Sequence, residues 1–529
     1  MSRKNNASLQ KALSPLRARF PLWGALLTVA VIHSGALKNR LVADSFVFVA
    51  PHTFIGTCAY FFKSIIPPEW ESLWLRPIPM FLFWLDSRLW PGTVWGPHLT
   101  NIILHFVNTW LIWEIVRFMR PGVRTHEQAP PGGLPAFIAA LVYGLHPLTV
   151  GAVAWIAARF DVMSITFGLA GLFMWLKYDA GIHGKRGPVG ASFLLLLSIL
   201  SKEQGVVFLA VCLLISSQRF FTGKNDRRTA LKDMILPVLF TGLYIIYRLF
   251  IFSGMGGYLT ARHGLNFLIP FYYLFASLFP FLNSMSGWTV SWTLPVAVIL
   301  LGATVAFMWK YSVVETLHAA SQRNTPSQRN APSQRINVMY TIAALALFII
   351  GLVTTAPHAG MTFEQIMGHA ESRFALIPIT GLALLAGIAA HAFIRTTFRR
   401  RAVLALLFLI GTAALWRTDV QIQSWRSAGF TAENIIRQTM ELASSPPQGS
   451  HLIFLDVPRN NDQYAYIFGI GLKEALIQRY GGRQDMEIIR YPKRENLGTA
   501  IPERDFVFQY HTDTGMLEKL KAVRKKRTE

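Results

Sequence analysis

Acidic residues are scarce in this chain of 529 residues: 28 Asp and Glu stand against 51 Lys and Arg, and Asp44 is the only carboxylate in the first 68 positions. Charge of either sign is thin, at 15% of residues, while 52% are hydrophobic and the mean hydropathy is +0.36. Soluble domains do not reach that balance, so the chain reads as an integral membrane protein. Cysteine is nearly absent. Cys58 and Cys212 are too few for a disulfide framework, and Cys212 lies inside an apolar run. The first apolar segment lacks a small-residue cleavage site and is expected to remain as a signal anchor. Metal-ligand spacing is also missing; no cofactor is expected, and a divalent ion is left open.

What is present is a series of apolar stretches close to the ~20 residues that cross about 30 Å of hydrocarbon. They cover 21–38, 98–118, 161–177, 205–218, 233–252, 293–309, 337–355, 374–394 and 402–416, with shorter runs at 134–147 and 189–200. The net charge of +23 would suggest nucleic acid in a soluble protein. Here the cations collect in alternate loops, as in Arg219, Lys224, Arg227, Arg228 and Lys232 or Arg395, Arg399, Arg400 and Arg401. That is the positive-inside pattern, so a nucleic-acid partner is not expected. Residues 266–284 are apolar enough to span, but the basic loop 310–336 would then lie outside; an outer-face or re-entrant helix keeps the parity. The expected fold is an all-α polytopic membrane protein with about eleven spans, its N-terminus cytoplasmic.

The expected organisation is a basic N-terminus (1–20), a transmembrane domain (21–416) and a small extracytoplasmic α/β domain (417–529). The last rests on strand-like runs at Leu452–Leu455, Glu487–Ile489 and Phe506–Tyr510 and a helical pattern over Tyr464–Tyr480. The first outer loop, 39–97, contains aromatic stretches at Phe46–Ile66 and Pro77–Trp90 that suit helices lying on the membrane. Within 310–336, Ser-Gln-Arg occurs three times among prolines, which reads as a disordered cytoplasmic loop.

Polar groups near span ends are costly and therefore informative. His98, Asn101, His105 and Asn108 recur on one helical face, for which interhelical hydrogen bonding is the plain explanation; His98, near the outer end, is also a candidate site-wall residue. The third span ends at His146-Pro147, continues through Trp155 and closes on Arg159-Phe160-Asp161. The fifth ends at Lys202-Glu203, and His369-Ala370-Glu371-Ser372-Arg373 precedes the tenth. Each has an ordinary reading as a helix end, cap or interfacial anchor, as have the aromatic residues Trp288, Trp292 and Tyr464. Yet the charge topology, derived without them, places Asp44, His146, Arg159, Asp161, Lys202, Glu203, Glu371 and Arg373 on one outer face. Both signs of charge there suit a phosphate-binding or acid/base cavity.

The run from His146 to Asp161, HPLTVGAVAWIAARFD, together with Trp74-Leu75-Arg76-Pro77, Ser201-Lys202-Glu203-Gln204-Gly205 and Glu371-Ser372-Arg373-Phe374, resembles the C-type superfamily of membrane glycosyltransferases. Within it the chain is most similar to the transmembrane O-mannosyltransferases with tetratricopeptide repeats and their bacterial relatives. Asn39 to Ser45 is similar to the segment in which that family places its catalytic acid. Two positions depart: Ser45 stands where a second acid is frequent, and Gly151 replaces an acid after the His-Pro turn. The repeats are absent, with the small α/β domain in their place.

The resemblance implies inverting transfer of a monosaccharide from a polyprenyl-phosphate donor to an acceptor hydroxyl, in the cell's inner membrane, with a protein, lipid or glycan as acceptor. Asp44 is then the expected base. Arg76, Arg159, Lys202 and Arg373 are the candidates for the donor phosphate, and His98, His146, Asp161, Glu203 and Glu371 shape the site. Two other readings remain: a transporter or flippase of a lipid-linked solute, which would favour ionisable groups at the bilayer midplane and inverted repeats, and a polysaccharide ligase or polymerase, which would differ in product size.

Overall fold

In hydrocarbon a backbone must satisfy its own hydrogen bonds, so apolar runs of membrane length become helices. The computed structural model describes residues 19–49, 53–63, 65–66, 70–71, 74–119, 133–182, 184, 186–221, 227–252, 268–281, 291–322, 332–356, 371–394, 396–462, 465–468, 471–491 and 505–520. Among these residues seven helices are long and apolar enough to cross a membrane: Arg19–Lys38, Trp95–Phe118, Ile156–Asp179, Arg228–Phe252, Thr293–Lys310, Ser372–His391 and Thr397–Leu442. A bent pair, Leu134–Gly144 with Pro147–Ala154, passes the same test, and shorter apolar helices Gly187–Ser201, Glu203–Ser217 and Val338–Val353 fall on the other expected spans. The chain is a polytopic helical membrane protein. Leu268–Leu278 has 11 residues, about 16 Å of helix, too short to cross alone.

The bundle packs through small residues where backbones come close. A Cβ on Gly381 would lie 2.4 Å from the Phe348 backbone nitrogen, so only glycine fits that crossing. The polar face of the second span does interhelical work. His105 Nε2 and His33 Nε2 lie 3.1 and 3.2 Å from the Gly144 carbonyl oxygen, and Asn108 donates to the Tyr143 hydroxyl and to the Val162 carbonyl. After the first span the chain forms short helices at Ser45–Phe48 and Phe54–Lys63, the hairpin β1 (Ile65–Ile66) and β2 (Trp70–Glu71), and the helix Pro77–Leu89.

Three sequence boundaries move. The domain border expected at 417 falls inside one continuous helix, Thr397–Leu442. Its 46 residues extend about 69 Å, roughly twice a bilayer core, so the last span runs on as the stem of the C-terminal domain. The composition changes at 417 because the helix leaves the apolar layer, not because it ends. The loop expected over 310–336 is shorter, since helices continue through Gln322 and resume at Pro332, with 323–331 outside the described residues. The helix expected over Tyr464–Tyr480 starts only at Leu472, because Gly471 takes a φ of +97° that interrupts it.

The C-terminal sheet has the order β4-β3-β5-β6, built from β3 (His451–Leu455), β4 (Glu487–Tyr491), β5 (Phe506–His511) and β6 (Met516–Leu520). β3 runs parallel to both neighbours, Leu452 pairing with Ile488 and Phe506, while β6 is antiparallel to β5. The helix Leu472–Arg479 forms the crossover between β3 and β4. The long stem holds the sheet through Asn434 and Gln438, whose amides donate to the Gly515 carbonyl.

Candidate active site

Asp44 follows the end of the first span in a tight turn. Ala43 takes a φ of +47°, rare for a residue with a Cβ, and its amide donates to the Ile467 carbonyl oxygen at 2.9 Å. Asp44 starts the helix Ser45–Phe48 without capping it by its side chain, which leaves the carboxylate directed elsewhere. It faces the Trp155 indole and the Arg373 guanidinium, both of which favour its ionised form, with Glu371 nearby opposing. Burial outweighs them and pushes the Asp44 carboxyl up to about 7. The residue nevertheless keeps partial access to solvent.

Trp155 organises the centre. It is buried, lies under the Arg373 guanidinium at 4.2 Å, stacks on Trp425 of the long helix at 5.7 Å and meets the Tyr466 ring edge-on at 5.2 Å. Its backbone carbonyl accepts from Asn101 at 3.2 Å, as does that of Ile156 at 3.3 Å, so the polar face of the second span fixes this turn. Arg373 sits 3.8 Å from Glu371, and the Glu371 carboxylate accepts a hydrogen bond from the Tyr466 hydroxyl.

A cationic cluster lies beside this centre. Lys202 is 2% exposed, donates to the Asp161 carboxylate and sits over the Phe374 ring at 4.5 Å. Burial pushes its amine down to about 8, against the pull of Asp161 and reinforced by the charges of Arg76 and Arg373. Arg76 grips Glu203 with two hydrogen bonds of 2.9 and 3.0 Å, and Arg248 reaches the same carboxylate at 3.4 Å. Thus Asp44, Arg76, Asp161, Lys202, Glu203, Glu371 and Arg373, spread over 330 positions of sequence, form one electrostatic neighbourhood.

Three expected site residues stand apart from it. Arg159 is fully buried; its guanidinium is committed to Asp86 at 2.6 Å, Asn101 at 2.9 Å and the Pro97 carbonyl at 2.9 Å, and lies over the Phe83 ring. The ring of Phe83 packs with Phe48 and Phe160, and the last of these lies under Arg76. Arg159 is therefore left out of the phosphate set proposed below: its bonds tie it to Asp86, Asn101 and Pro97, whereas Lys202 feels the charges of Arg76 and Arg373 and Arg373 faces Asp44. His98 is buried beside Arg159 and the Asn39 backbone in the first turn of its helix. His146 caps the following turn: Nδ1 accepts from the Leu148 amide at 3.2 Å, so Nε2 carries the proton and donates to the Ser277 carbonyl at 3.1 Å. That is a structural tie to the helix Leu268–Leu278. His369, Trp288 and Tyr464 lie outside the described residues, and Trp292 is exposed.

The sequence reading passed over Asp86, Arg248 and Tyr466. A charge at the end of an apolar run could have flagged Arg248; Tyr466 carries no such signal, being an ordinary tyrosine of a soluble segment. Among the described residues no group of three or more His, Cys, Asp or Glu could hold a metal ion.

No family model matches the chain. Its sequence is similar to a protein O-mannosyl-transferase of Caenorhabditis elegans, 31% identical over 142 residues, which are 26% of this chain and 18% of that protein. The human protein O-mannosyl-transferase TMTC2 is 30% identical over 142 residues, covering 26% and 16%, and mouse TMTC1 is 32% identical over 150 residues, covering 26% and 15%. The chain thus spans less than a fifth of the length of these relatives. Among solved structures, ArnT from Cupriavidus metallidurans bound to undecaprenyl phosphate is 13% identical with a TM-score of 0.44, and 93% of each chain is covered.

Proposed function

We propose that this protein is a membrane glycosyltransferase that moves a mannose-like monosaccharide from a polyprenyl-phosphate donor to an acceptor hydroxyl, with inversion, on the extracytoplasmic face of the inner membrane. The observation that carries the reading is Asp44: a residue with partial access to solvent whose buried carboxyl has a pKa raised to about 7 and lies beside Arg373 and Trp155. A base whose pKa lies near the working pH both holds the ionised form and drives proton transfer. The acceptor oxygen bonds to the anomeric carbon while its proton passes to Asp44. The bond from that carbon to the phosphate oxygen breaks, and its electron pair leaves on the lipid phosphate.

The departing charge calls for donors held in place beforehand. Arg373, Lys202 and Arg76 supply them, Lys202 and Arg76 being oriented by Asp161 and Glu203. Glu371 positions Arg373. The similarity to protein O-mannosyl-transferases supports both the reaction class and the sugar. The basic loops between spans support the outward placement of the site.

The test uses purified Asp44→Asn with a synthetic polyprenyl-phosphate mannose. Transfer is expected to fall by about 10²–10⁴-fold, the range of a placed general base; a wild-type rate removes Asp44 from the mechanism. Arg373→Ala and Lys202→Ala are expected to weaken donor binding, and unchanged donor affinity in both overturns the phosphate assignment.

A further inference from the structure

The three parallel strands β4, β3 and β5 end on one edge of the C-terminal sheet, where a cavity of about 920 Å³ opens among Asp456, Arg459, Arg490, Tyr510, Thr512 and Asp513. Crevices outside the carboxyl ends of parallel strands are the usual ligand sites of open α/β sheets. Asp456, directly after β3, is held at a φ of +56°, a conformation that costs energy for a residue with a Cβ and collects at functional positions. Its carboxylate accepts from the Gln509 amide at 2.6 Å.

Two guanidinium groups line the same cavity. Arg490 is turned inward by the carbonyls of Val457, at 2.8 Å, and Phe468, and burial, reinforced by the charge of Arg459, lowers its pKa to about 10. Among the described residues neither arginine forms an ion pair with an acid. Asp513 is exposed at the rim. The wall therefore offers unneutralised, fork-shaped donors for an anion beside carboxylates suited to accepting hydrogen bonds from hydroxyls.

We propose that this cavity binds an anionic sugar unit, with the carboxylate or phosphate of the sugar held by Arg459 and Arg490 and its hydroxyls by Asp456 and Asp513. Two backbone hydrogen bonds connect the rim of this cavity to the turn before Asp44. The Arg459 carbonyl accepts from the Ile467 amide at 2.8 Å, and the Ile467 carbonyl accepts from Ala43. Binding stands independently of the chemistry at Asp44; that the occupant is the acceptor rests on the sugar-transfer reading.

Titration calorimetry on the full-length protein in uncharged detergent tests it, with glucuronic acid, glucose 6-phosphate, glucose and inorganic phosphate as probes. The two anionic sugars are expected to bind at least about tenfold more tightly than glucose or phosphate, and Arg459→Ala to weaken them about tenfold, the value of one charge-assisted contact. Arg459 is exposed, so the variant keeps its fold, and Arg459→Lys, which keeps the charge but not the fork, binds with an affinity between those of wild type and Arg459→Ala. Asp44→Asn leaves it unchanged, which separates this site from the failure or success of the transfer reading. Equal affinity in Arg459→Ala, phosphate binding as tightly as the sugars, glucose matching glucuronic acid, or no binding of either anionic sugar each overturns the proposal.

Discussion

The amide of Ala43 donates to the carbonyl of Ile467 across 2.9 Å, so the residue before the proposed base is held by the C-terminal domain. The neighbourhood repeats the arrangement: Phe46 stacks on Phe468 with ring centroids 6.0 Å apart, and Gln478 donates to the Phe46 carbonyl at 2.7 Å. Tyr466 of the same domain reaches Glu371. The sheet domain thus forms one wall of the Asp44 site.

Gly471 packs closely against the Ala43–Asp44 turn. A Cβ there would stand 1.9 Å from the Ala43 carbonyl oxygen, on a backbone with a φ of +97°. Gly471→Ala is expected to lower the unfolding temperature and to remove most transfer activity. The control is Gly449→Ala, where φ is +71° and nothing lies within 4 Å; it incurs only the left-handed backbone cost of about 1–2 kcal/mol and leaves activity intact. Equal effects of the two variants would show that the contact with Ala43 is immaterial.

Asp44 carries a pH signature. Its folded pKa of about 7 stands above the ordinary value of 3.8. Between them the native state keeps a proton that the unfolded chain has lost, so this group lowers stability as pH rises from about 4 to about 7. Transfer by an ionised base rises over the upper part of that window. Asp44→Asn is therefore expected to unfold at a higher temperature than wild type at pH 8 while being inactive; a lower unfolding temperature contradicts the buried-carboxylate account.

Lys202 and Asp161 are expected to behave as a buried pair. Removing one partner leaves an unpaired buried charge, and Asp161→Asn should cost about 3–5 kcal/mol in denaturant or thermal unfolding. The double variant Asp161→Leu with Lys202→Met should recover most of that loss. Without Asp161 the folded pKa of Lys202 drops further below about 8. The unfolded state then binds the extra proton, and Asp161→Asn regains stability as pH rises through that range. A flat pH dependence would rule out the ion pair.

Arg159 and Arg373 should separate cleanly. Arg159→Lys cannot reproduce the guanidinium bonds to Asp86, Asn101 and Pro97. It is expected to lower the unfolding temperature and leave the donor affinity of the folded protein unchanged. Arg373→Ala should do the reverse. Donor affinity lost in Arg159→Lys at unchanged stability would return Arg159 to the phosphate set.

Much of the transmembrane architecture was legible because a 20-residue apolar run has few alternatives to a helix in lipid. The helix at Leu268–Leu278 lies within a run legible from its hydrophobicity, which charge parity kept from being counted as a span, and β3, β4 and β5 showed in their apolar runs. β6 was missed: Met516–Leu520 is an edge strand with polar residues at Glu518 and Lys519, and its pairing to β5 supplies what its composition lacks. The stem helix was split at 417 because hydropathy registers a change of solvent, and a helix crossing from lipid to water keeps its hydrogen bonds while changing its surface.

The candidate site divides along the same line. Sequence alone determined that the chain is a membrane protein and where its apolar helices run, and it drew attention to Asp44, Lys202, Glu203, Glu371 and Arg373, since hydrophobicity and charge asymmetry are sums over local residues. Tertiary structure decided the partners. Arg159 and Arg373 look alike in sequence, each a cation beside a phenylalanine at the start of a span, yet one meets Asp86 and the other stacks on Trp155 toward Asp44. An ionisable group acquires its role from the charges and dielectric that packing brings within a few ångströms, and those come from positions far away along the chain.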